Sequence, residues 1–363
     1  MTLPEEVFAQ LLGEALAPVA GLLAETAVTE IMINGPATVY VERAGRISRV
    51  DASFADAEDL LSAVRAIAQY VGKVVDDESP TLDARLPDGS RVHAVLAPCA
   101  RGGPMVTIRK FSRDVLRVDQ LLASGTLSED AAAFLGAVVQ HKRNLVVAGG
   151  TGSGKTSLLN VLSSHIDPAE RILVLEDSSE LQLQQPHVCY LESRPAAPSG
   201  RGAVGLRELF RSALRMRPDR ILIGEVRGGE ALDLIQAMTS GHAGSMSTLH
   251  ATHPGDALRR LETMALMSGV EMPLFALRAQ IVSAVDVLVQ VERFGDGTRR
   301  VTHVAEVTDD ERGGYRTTDL FKLHWLPDEH GEQTPYLHHT DVVPSFLPEL
   351  RERVPGLLDS LWP

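Results

Sequence analysis

The sequence has few of the features that would mark a disulfide-bonded, membrane-spanning or nucleic-acid-coating protein. Only two of its 363 residues are cysteine, and Cys99 and Cys189 lie far apart without metal-ligand spacing. This pattern fits a reducing cytoplasm. No apolar run approaches the roughly 18 residues of a membrane span. The N-terminus carries Glu5 and Glu6 instead of a basic region, which disfavours a secretory signal. The net charge of −13 argues against general nucleic-acid affinity, although a local basic groove stays open.

What is present is a complete phosphate-binding loop. Residues 149–156, GGTGSGKT, match the pattern G-x-x-x-x-G-K-[ST]. The apolar run 144–148 before it suits a buried strand, and residues 157–162 suit the start of a helix. We expect Lys155 to reach the β- and γ-phosphates of ATP and the Thr156 hydroxyl to ligate Mg²⁺. A glycine-rich turn that binds nothing is disfavoured by the complete match and its flanks. The predicted nucleotide-binding residues are Gly150, Thr151, Gly152, Ser153, Gly154, Lys155, Thr156 and Ser157.

The rest of the chain predicts more than one domain. We expect a short helical segment over residues 1–27, a small α+β domain over 28–114 and a polar linker over 115–127. Strand-like and helix-like runs then alternate as in an α/β domain with a parallel-sheet core, over 128–300, and 301–363 is a C-terminal extension of short β-like pieces and a helix. The strands predicted in the second domain are 144–148, 171–175, 220–223, 245–249 and 285–291.

Acidic residues follow two of these predicted strands. Ligands of an open parallel sheet sit beyond the carboxyl ends of its strands. Nucleotide hydrolysis needs Mg²⁺ and a positioned water, so acids at these ends are candidates for both tasks. Glu225 follows one strand, and Glu180 ends the segment after the other, where Glu176 and Asp177 are rivals for water activation. Taken singly, such acids are usually ordinary strand-end polar residues.

Histidines and arginines complete the candidate set. His242 and His250 flank a predicted strand of small residues, but they lack zinc-ligand spacing, and a lone histidine is more often structural. An enzyme that hydrolyses nucleoside triphosphates needs cations near the γ-phosphate, which can come from another domain or subunit. Arginines beside predicted strand ends or turns are Arg91, Arg109, Arg215, Arg217 and Arg227.

Four longer stretches resemble one known family. They are residues 30–36, EIMINGP, residues 83–92, DARLPDGSRV, residues 107–111, TIRKF, and residues 214–228, LRMRPDRILIGEVRG. The chain resembles the secretion ATPases of type II secretion, type IV pili and type IV secretion over residues 28–300. Within them it is most similar to the CpaF (TadA) ATPases of tight-adherence, Flp-type pili.

The resemblance implies a fold, cofactors and partners. The implied fold is a PAS-like α+β N-terminal domain joined to a RecA-like P-loop ATPase domain, assembled as a homo-hexamer. The implied cofactors are ATP and Mg²⁺. The implied place is cytoplasmic, peripheral at the cytoplasmic face of the inner membrane, against platform proteins like TadB and TadC. No direct nucleic-acid partner and no transmembrane segment are expected.

The resemblance also implies roles for the residues already selected. Glu180 ends the family's Asp box, begun by Glu176, and activates water, while Glu225 takes the Walker B position near Mg²⁺. His242 and His250 form the His box that couples nucleotide state to domain movement. Arg91 and Arg109 contact the γ-phosphate. The implied catalytic set is Glu180, Glu225, Lys155, Glu176, His250, His242, Arg91 and Arg109, with Thr156 and Glu225 at the metal.

Some features depart from the family, and other functions stay open. Residues 239–245 are TSGHAGS, where typical members have NTGHDGS, although both histidines remain. A conjugation-associated DNA-transfer ATPase is the main alternative, and the acidic charge weighs against it. A small-molecule kinase would use the same loop, and a nucleotide sensor would bind without hydrolysis.

Overall fold

The structure is a computed structural model that describes residues 11–111, 116–196, 200–310, 312–327 and 333–353, with Gly356, Asp359, Leu361 and Trp362. The first part of the expected N-terminal helical segment, residues 1–10, lies outside these. The chain divides into two compact units. One comprises Met1–Asp114 with Gly295–Thr298, and the other comprises Val115–Phe294 with Arg299–Pro363.

The first unit is built on a six-stranded antiparallel sheet. Its strands are β1 Val28–Asn34, β2 Val39–Arg43, β3 Arg46–Val50, β4 Thr81–Arg85, β5 Arg91–Val95 and β6 Met105–Arg109. The strand order is β3-β2-β1-β6-β5-β4. One helix, Ala57–Tyr70, begins at Asp56, whose carboxylate accepts the backbone N–H groups of Glu58 and Asp59. Its apolar stripe, with Leu60 and Ile67, is buried in the core of this unit.

Short helical turns precede this sheet. Residues 11–15 are helical, and the 3-10 turn Ala17–Val19 and the helix Ala20–Ala24 follow. Leu12, Leu16 and Val19 are buried in the same apolar core. These turns are therefore packed into the first unit.

The second unit is built on a nine-stranded mixed sheet. Its strands are β7 Leu145–Gly149, β8 Ile172–Glu176, β9 Val188–Glu192, β10 Arg220–Ile223, β11 Met246–His250, β12 Val287–Arg293, β13 Arg299–Asp309, β14 Tyr315–Pro327 and β15 Gln333–His339. The strand order is β15-β14-β13-β12-β7-β11-β10-β8-β9. The six strands from β12 to β9 run parallel, and β13 to β15 extend the sheet antiparallel from β12.

Helices cover both faces of the parallel strands, as an open parallel sheet requires. One apolar core lies under the helices Glu129–Gln140 and Lys155–Ser163, and a second lies under four others. The remaining helices of the described residues are Val118–Ala123, Leu206–Ala213, Glu230–Thr239, Pro254–Leu266, Leu274–Ala284 and Leu347–Arg353. No helix among the described residues is both long and apolar enough to cross a membrane.

The five strands predicted for the second domain are confirmed within two residues. Two expectations differ from the structure. In the described part of residues 301–363, the strands β13 and β14 are longer than expected, because they extend the sheet from β12 and bury Val304 and Phe321. Residues 115–127 are not simply a polar connection. They contain the helix Val118–Ala123, since Leu121 and Leu127 are buried in the second unit's core.

Candidate nucleotide-binding site

The phosphate loop leaves the sheet at Gly149. All five residues of β7 are buried, and the loop turns into the helix Lys155–Ser163. Gly152 and Gly154 have φ of +68° and +93°, the left-handed region that glycine enters at little cost. A side chain at Gly149 would collide with the backbone carbonyl of Val291 on the neighbouring strand. Backbone curvature and a helix N-terminus are thus combined as an anion site requires.

Lys155 lies inside this loop. It is 7% exposed, and its Nζ donates to the Gly150 carbonyl at 2.9 Å. The same Nζ lies 3.4 Å from Nδ1 of His250. Beside it, the Ser153 hydroxyl is buried and has no hydrogen-bond partner among the described residues. A buried hydroxyl in such a state fits a loop that receives a polar ligand.

Glu225 connects to the loop through His250. β10, β11 and β7 are neighbouring parallel strands, so the residues that follow their carboxyl ends lie side by side along the same edge of the sheet, the one formed by the strand ends. His250 ends β11, and its Nε2 lies 2.7 Å from Oε1 of Glu225. The other carboxylate oxygen of Glu225 accepts from Nε of Arg227 at 2.9 Å. Lys155, His250, Glu225 and Arg227 thereby form a continuous polar cluster, which we name the sheet-edge cluster.

The electrostatics of the sheet-edge cluster favour a neutral histidine and a charged arginine. Burial lowers the pKa of His250, the Lys155 charge lowers it further, and Glu225 opposes both. The hydrogen bond to Glu225 raises the pKa of Arg227, and the charges of Asp177 and Glu180 add to this. The imidazole therefore lies as a polar link between a lysine, with which it shares a hydrogen bond, and a carboxylate, which it contacts.

Glu176 has a positioning contact. It ends β8, is 4% exposed, and its Oε1 accepts the backbone N–H groups of Glu180 at 2.9 Å and Leu181 at 3.1 Å. Its side chain lies so close to Gly224 that a Cβ there would meet it at 2.8 Å. Glu176 therefore fixes the segment that carries Glu180, which is partly exposed near Arg227.

The structure does not bring His242 into the sheet-edge cluster. His242 lies before β11 and His250 at its end, so a strand of roughly 16 Å separates them. The carbonyl of His242 accepts from the Ser245 hydroxyl at 2.8 Å, within the turn that starts β11. The coupling role expected for His242 stays a prediction, and His242 lies at the opposite end of β11 from the sheet-edge cluster.

Arg91 and Arg109 lie in the first unit. They are direct partners on β5 and β6, and Arg85 of β4 is the direct partner of Arg91. Their neighbours Val92 and Ile108 face the buried core, so the three arginines form a row on the other face of that sheet. Glu30 of β1 is in turn the direct partner of Arg109, so the row ends on a carboxylate.

The metal expectation concerns Thr156 and Glu225. Thr156 is the second residue of the loop's helix and is partly buried. Within the described part of the chain, no three His, Cys, Asp or Glu side chains are grouped to hold a metal ion. The expected Mg²⁺ ligands Thr156 and Glu225 stay a prediction.

Sequence reasoning missed Arg293 and Arg299. The Nε of Arg299 donates to the Gly152 carbonyl at 2.9 Å, across 147 residues of sequence. Arg293 is its partner on β12. Placing these two arginines beside the phosphate loop requires knowing that β12 pairs with β7, which the sequence alone does not show.

The loop, its flanking elements and the parallel strand order define a P-loop fold. A family model described as "Type II/IV secretion system protein" matches residues 13–313. A putative conjugal transfer protein of Mycobacterium tuberculosis is 36% identical over 290 residues, 78% of this chain and 82% of that protein. The type IV secretion system protein PtlH of Bordetella pertussis is 38% identical over 300 residues, 75% of this chain and 88% of that protein.

A solved structure agrees on the fold. The X-ray structure of the Legionella pneumophila ATPase DotB has a TM-score of 0.56 and 18% identity, covering 86% of this chain and 84% of that one. The family match covers most of the chain. The chain therefore belongs to the type II/IV secretion system protein family.

Proposed function

We propose that this protein hydrolyses ATP with Mg²⁺ and, as a homo-hexameric ring, drives pilus assembly or secretion through an inner-membrane platform. One observation carries the proposal. His250 connects Lys155 of the phosphate loop to Glu225 beyond the next strand. A lysine for the phosphates and a carboxylate for the metal or water are thus held at one sheet edge, as triphosphate hydrolysis needs.

Each residue has a proposed role. The loop N–H groups and Lys155 bind the β- and γ-phosphates. Thr156 and Glu225 hold Mg²⁺. Glu180 orients the attacking water, and the Glu176 carboxylate fixes the backbone of Glu180. When bound, Mg²⁺ supplies charge neutralisation at the transferring phosphoryl group.

Three further residues act around this centre. His250 passes a change at the phosphates to Glu225, which it contacts at 2.7 Å. Arg91 and Arg109 supply cations to the γ-phosphate of ATP. Away from this centre, His242 at the start of β11 couples nucleotide state to domain movement together with His250.

Two secretion-type systems fit the proposal. The stretches 83–92 and 214–228 favour the CpaF/TadA group, so we propose a motor for tight-adherence pili with TadB/TadC-like partners, peripheral at the cytoplasmic face of the inner membrane. The names of the Mycobacterium and Bordetella relatives favour type IV secretion or conjugal transfer. The charge of −13 weighs against direct contact with DNA in either case.

The test is steady-state ATPase activity with Mg²⁺ across protein concentration, together with the mass from light scattering. Turnover that rises as a six-subunit species forms supports the ring motor. Lys155→Ala should abolish turnover by removing the phosphate clamp. Activity in a monomer at all concentrations would overturn the ring, and near-normal hydrolysis by Lys155→Ala would overturn the site.

The two systems are separated by adding DNA to the same assay. Turnover indifferent to single- or double-stranded DNA supports the pilus motor. Stimulation by DNA that weakens steeply with salt supports conjugal transfer, because phosphate contacts release counterions.

A further inference from the structure

Two arginines of the hairpin β12–β13 lie against the phosphate loop. β12 runs parallel to β7 with Val291 opposite Gly149, so Arg293, two residues further, is level with the loop. Arg299 is its direct partner on β13. Arg293 Nη1 lies 3.3 Å from the place where a Cβ of Gly152 would be, and Arg299 Cδ lies 3.2 Å from that of Gly154.

The contact of Arg299 fixes one peptide unit of the loop. Its Nε donates to the Gly152 carbonyl at 2.9 Å. In a trans peptide the C=O and the following N–H point in opposite directions. Holding the Gly152 oxygen on one side therefore turns the Ser153 N–H to the other side, where it donates to the Gly150 carbonyl across the loop at 3.4 Å.

Orientation of this peptide matters because a phosphate loop binds through its N–H groups. Gly152 has φ of +68° and no side chain, so its peptide can rotate more readily than that of another residue. A charge-assisted hydrogen bond restricts that rotation before a ligand arrives.

We propose that Arg299 is a positioning residue for the nucleotide, which holds the Gly152–Ser153 peptide with its N–H toward the phosphates and adds positive charge beside them. This inference rests on the proposed nucleotide site and extends it to a residue on the neighbouring hairpin. Arg299 acts on the nucleotide through the loop. The Thr126 hydroxyl donates to the backbone carbonyl of Arg299 at 2.8 Å, and this hydrogen bond stays in place when the Arg299 side chain is replaced.

The test compares Arg299→Ala and Arg299→Lys with Arg300→Ala in the full-length chain. Arg300 is the matched control, because it is the next residue of the same strand and its Nη1 donates to the Gly125 carbonyl at 2.8 Å, outside the phosphate loop. The readouts are the equilibrium Kd of a fluorescent ADP with Mg²⁺, the KM and kcat for ATP, and the melting temperature with and without ADP.

We expect Arg299→Ala to weaken ADP binding about tenfold, the size of one charge-assisted hydrogen bond, and to raise KM more than it lowers kcat. Its melting temperature without ADP should match wild type, and the rise on adding ADP should shrink. Arg299→Lys should recover part of the affinity, since it keeps the charge and a donor. Arg300→Ala should bind ADP as wild type does.

Two results would overturn the inference alone. One is wild-type affinity and KM in Arg299→Ala. The other is an equal loss in Arg300→Ala, which would assign the effect to the hairpin and not to the guanidinium. If the unaltered protein fails to bind ADP while folded, the proposed function fails, and this inference with it.

Discussion

The imidazole of His250 stands between a lysine and a carboxylate: Nδ1 lies 3.4 Å from Nζ of Lys155, and Nε2 lies 2.7 Å from Oε1 of Glu225. The two nitrogens of one ring thus contact the phosphate loop and the end of the neighbouring strand. Burial and the Lys155 charge lower the pKa of His250, which favours the neutral form of the ring. A neutral imidazole has one donor and one acceptor nitrogen, which suits a link from an ammonium to a carboxylate.

Replacing His250 should uncouple these two groups. We expect His250→Ala to lower kcat about tenfold, because Lys155 loses a hydrogen-bonding partner and Glu225 loses a close polar contact, while ADP affinity changes little. His253→Ala is the control, since that exposed residue lies three positions away at the start of the helix Pro254–Leu266. Steady-state turnover and fluorescent ADP binding measure the two effects, and a loss confined to ADP binding would contradict the coupling role.

Glu225 is expected to act in hydrolysis more than in binding. Glu225→Gln keeps the size and an acceptor for Arg227 but removes the charge offered to Mg²⁺ or water, so turnover should fall about 100-fold while ATP still binds. The control is Glu230→Gln, whose carboxylate accepts the backbone N–H groups of Arg227 and Gly228 in the same turn. Loss of ATP binding in Glu225→Gln would instead indicate a structural role.

The sequence predicted the phosphate loop well because all its parts are consecutive. Lys155, the glycines and the flanking strand and helix need no tertiary information. Four of the five predicted strands were recoverable for a similar reason, since buried parallel strands are largely apolar runs, whereas β11 is a run of small residues. The strand β9, Val188–Glu192, was missed because it is partly exposed and mixed in composition.

What the sequence could not provide is which strand ends share an edge. His242 and His250 are eight positions apart, yet β11 separates them, whereas Arg299 touches Gly152 across 147 residues. Proximity in sequence suggested a pair of histidines that the sheet divides. The length of β11 separates the two histidines, and the pairing of β12 with β7 and β13 brings Arg299 to Gly152.

Arg109 should matter for hydrolysis and not for folding. Its side chain is exposed on the outer face of the first unit's sheet, so Arg109→Ala should leave the melting temperature close to wild type. If Arg109 contacts the γ-phosphate, kcat should fall on the order of 10³-fold, as for other arginines in phosphoryl transfer. Arg49→Ala, on β3 of the same sheet, is the control. Unchanged turnover in Arg109→Ala would remove it from the site.

His165 predicts a pH dependence of stability. Burial lowers its pKa from the ordinary 6.5, and its Nε2 is buried without a hydrogen-bond partner among the described residues. The unfolded chain then binds a proton more readily than the folded one. The free energy of unfolding should therefore fall as the pH drops below 6.5, until His165 is protonated in both states.

Denaturant unfolding of wild type and His165→Gln between about pH 5.5 and 7.5 measures this contribution. The other histidines with lowered pKa, His250 and His303, are common to both proteins and cancel in the difference. The wild type should lose more stability on acidification than the variant. Equal pH slopes would show that His165 does not contribute.

Asn144 should be a large determinant of stability in the second unit. Both polar atoms of its buried side-chain amide are hydrogen-bonded. Oδ1 accepts the backbone N–H groups of Gly244 and Ser245. Nδ2 donates to the backbone carbonyls of Met238 and Ala284. Asn144→Ala would leave these buried backbone groups without that partner, which we expect to lower the free energy of unfolding by about 3 kcal/mol.

The control for this change is an asparagine with fewer contacts. Oδ1 of Asn160 accepts the backbone N–H of Gln182 at 2.8 Å, and the residue is only partly buried, so Asn160→Ala should cost about 1 kcal/mol. Urea unfolding of both variants makes the comparison. Because Asn144 precedes β7, which leads into the phosphate loop, its loss should also raise the Kd for ADP if the strand frays. The contradicting result is that Asn144→Ala lowers the free energy of unfolding no more than Asn160→Ala does. That result would show that water or a shifted backbone replaces the Asn144 amide, and that its hydrogen bonds do not stabilise the start of β7.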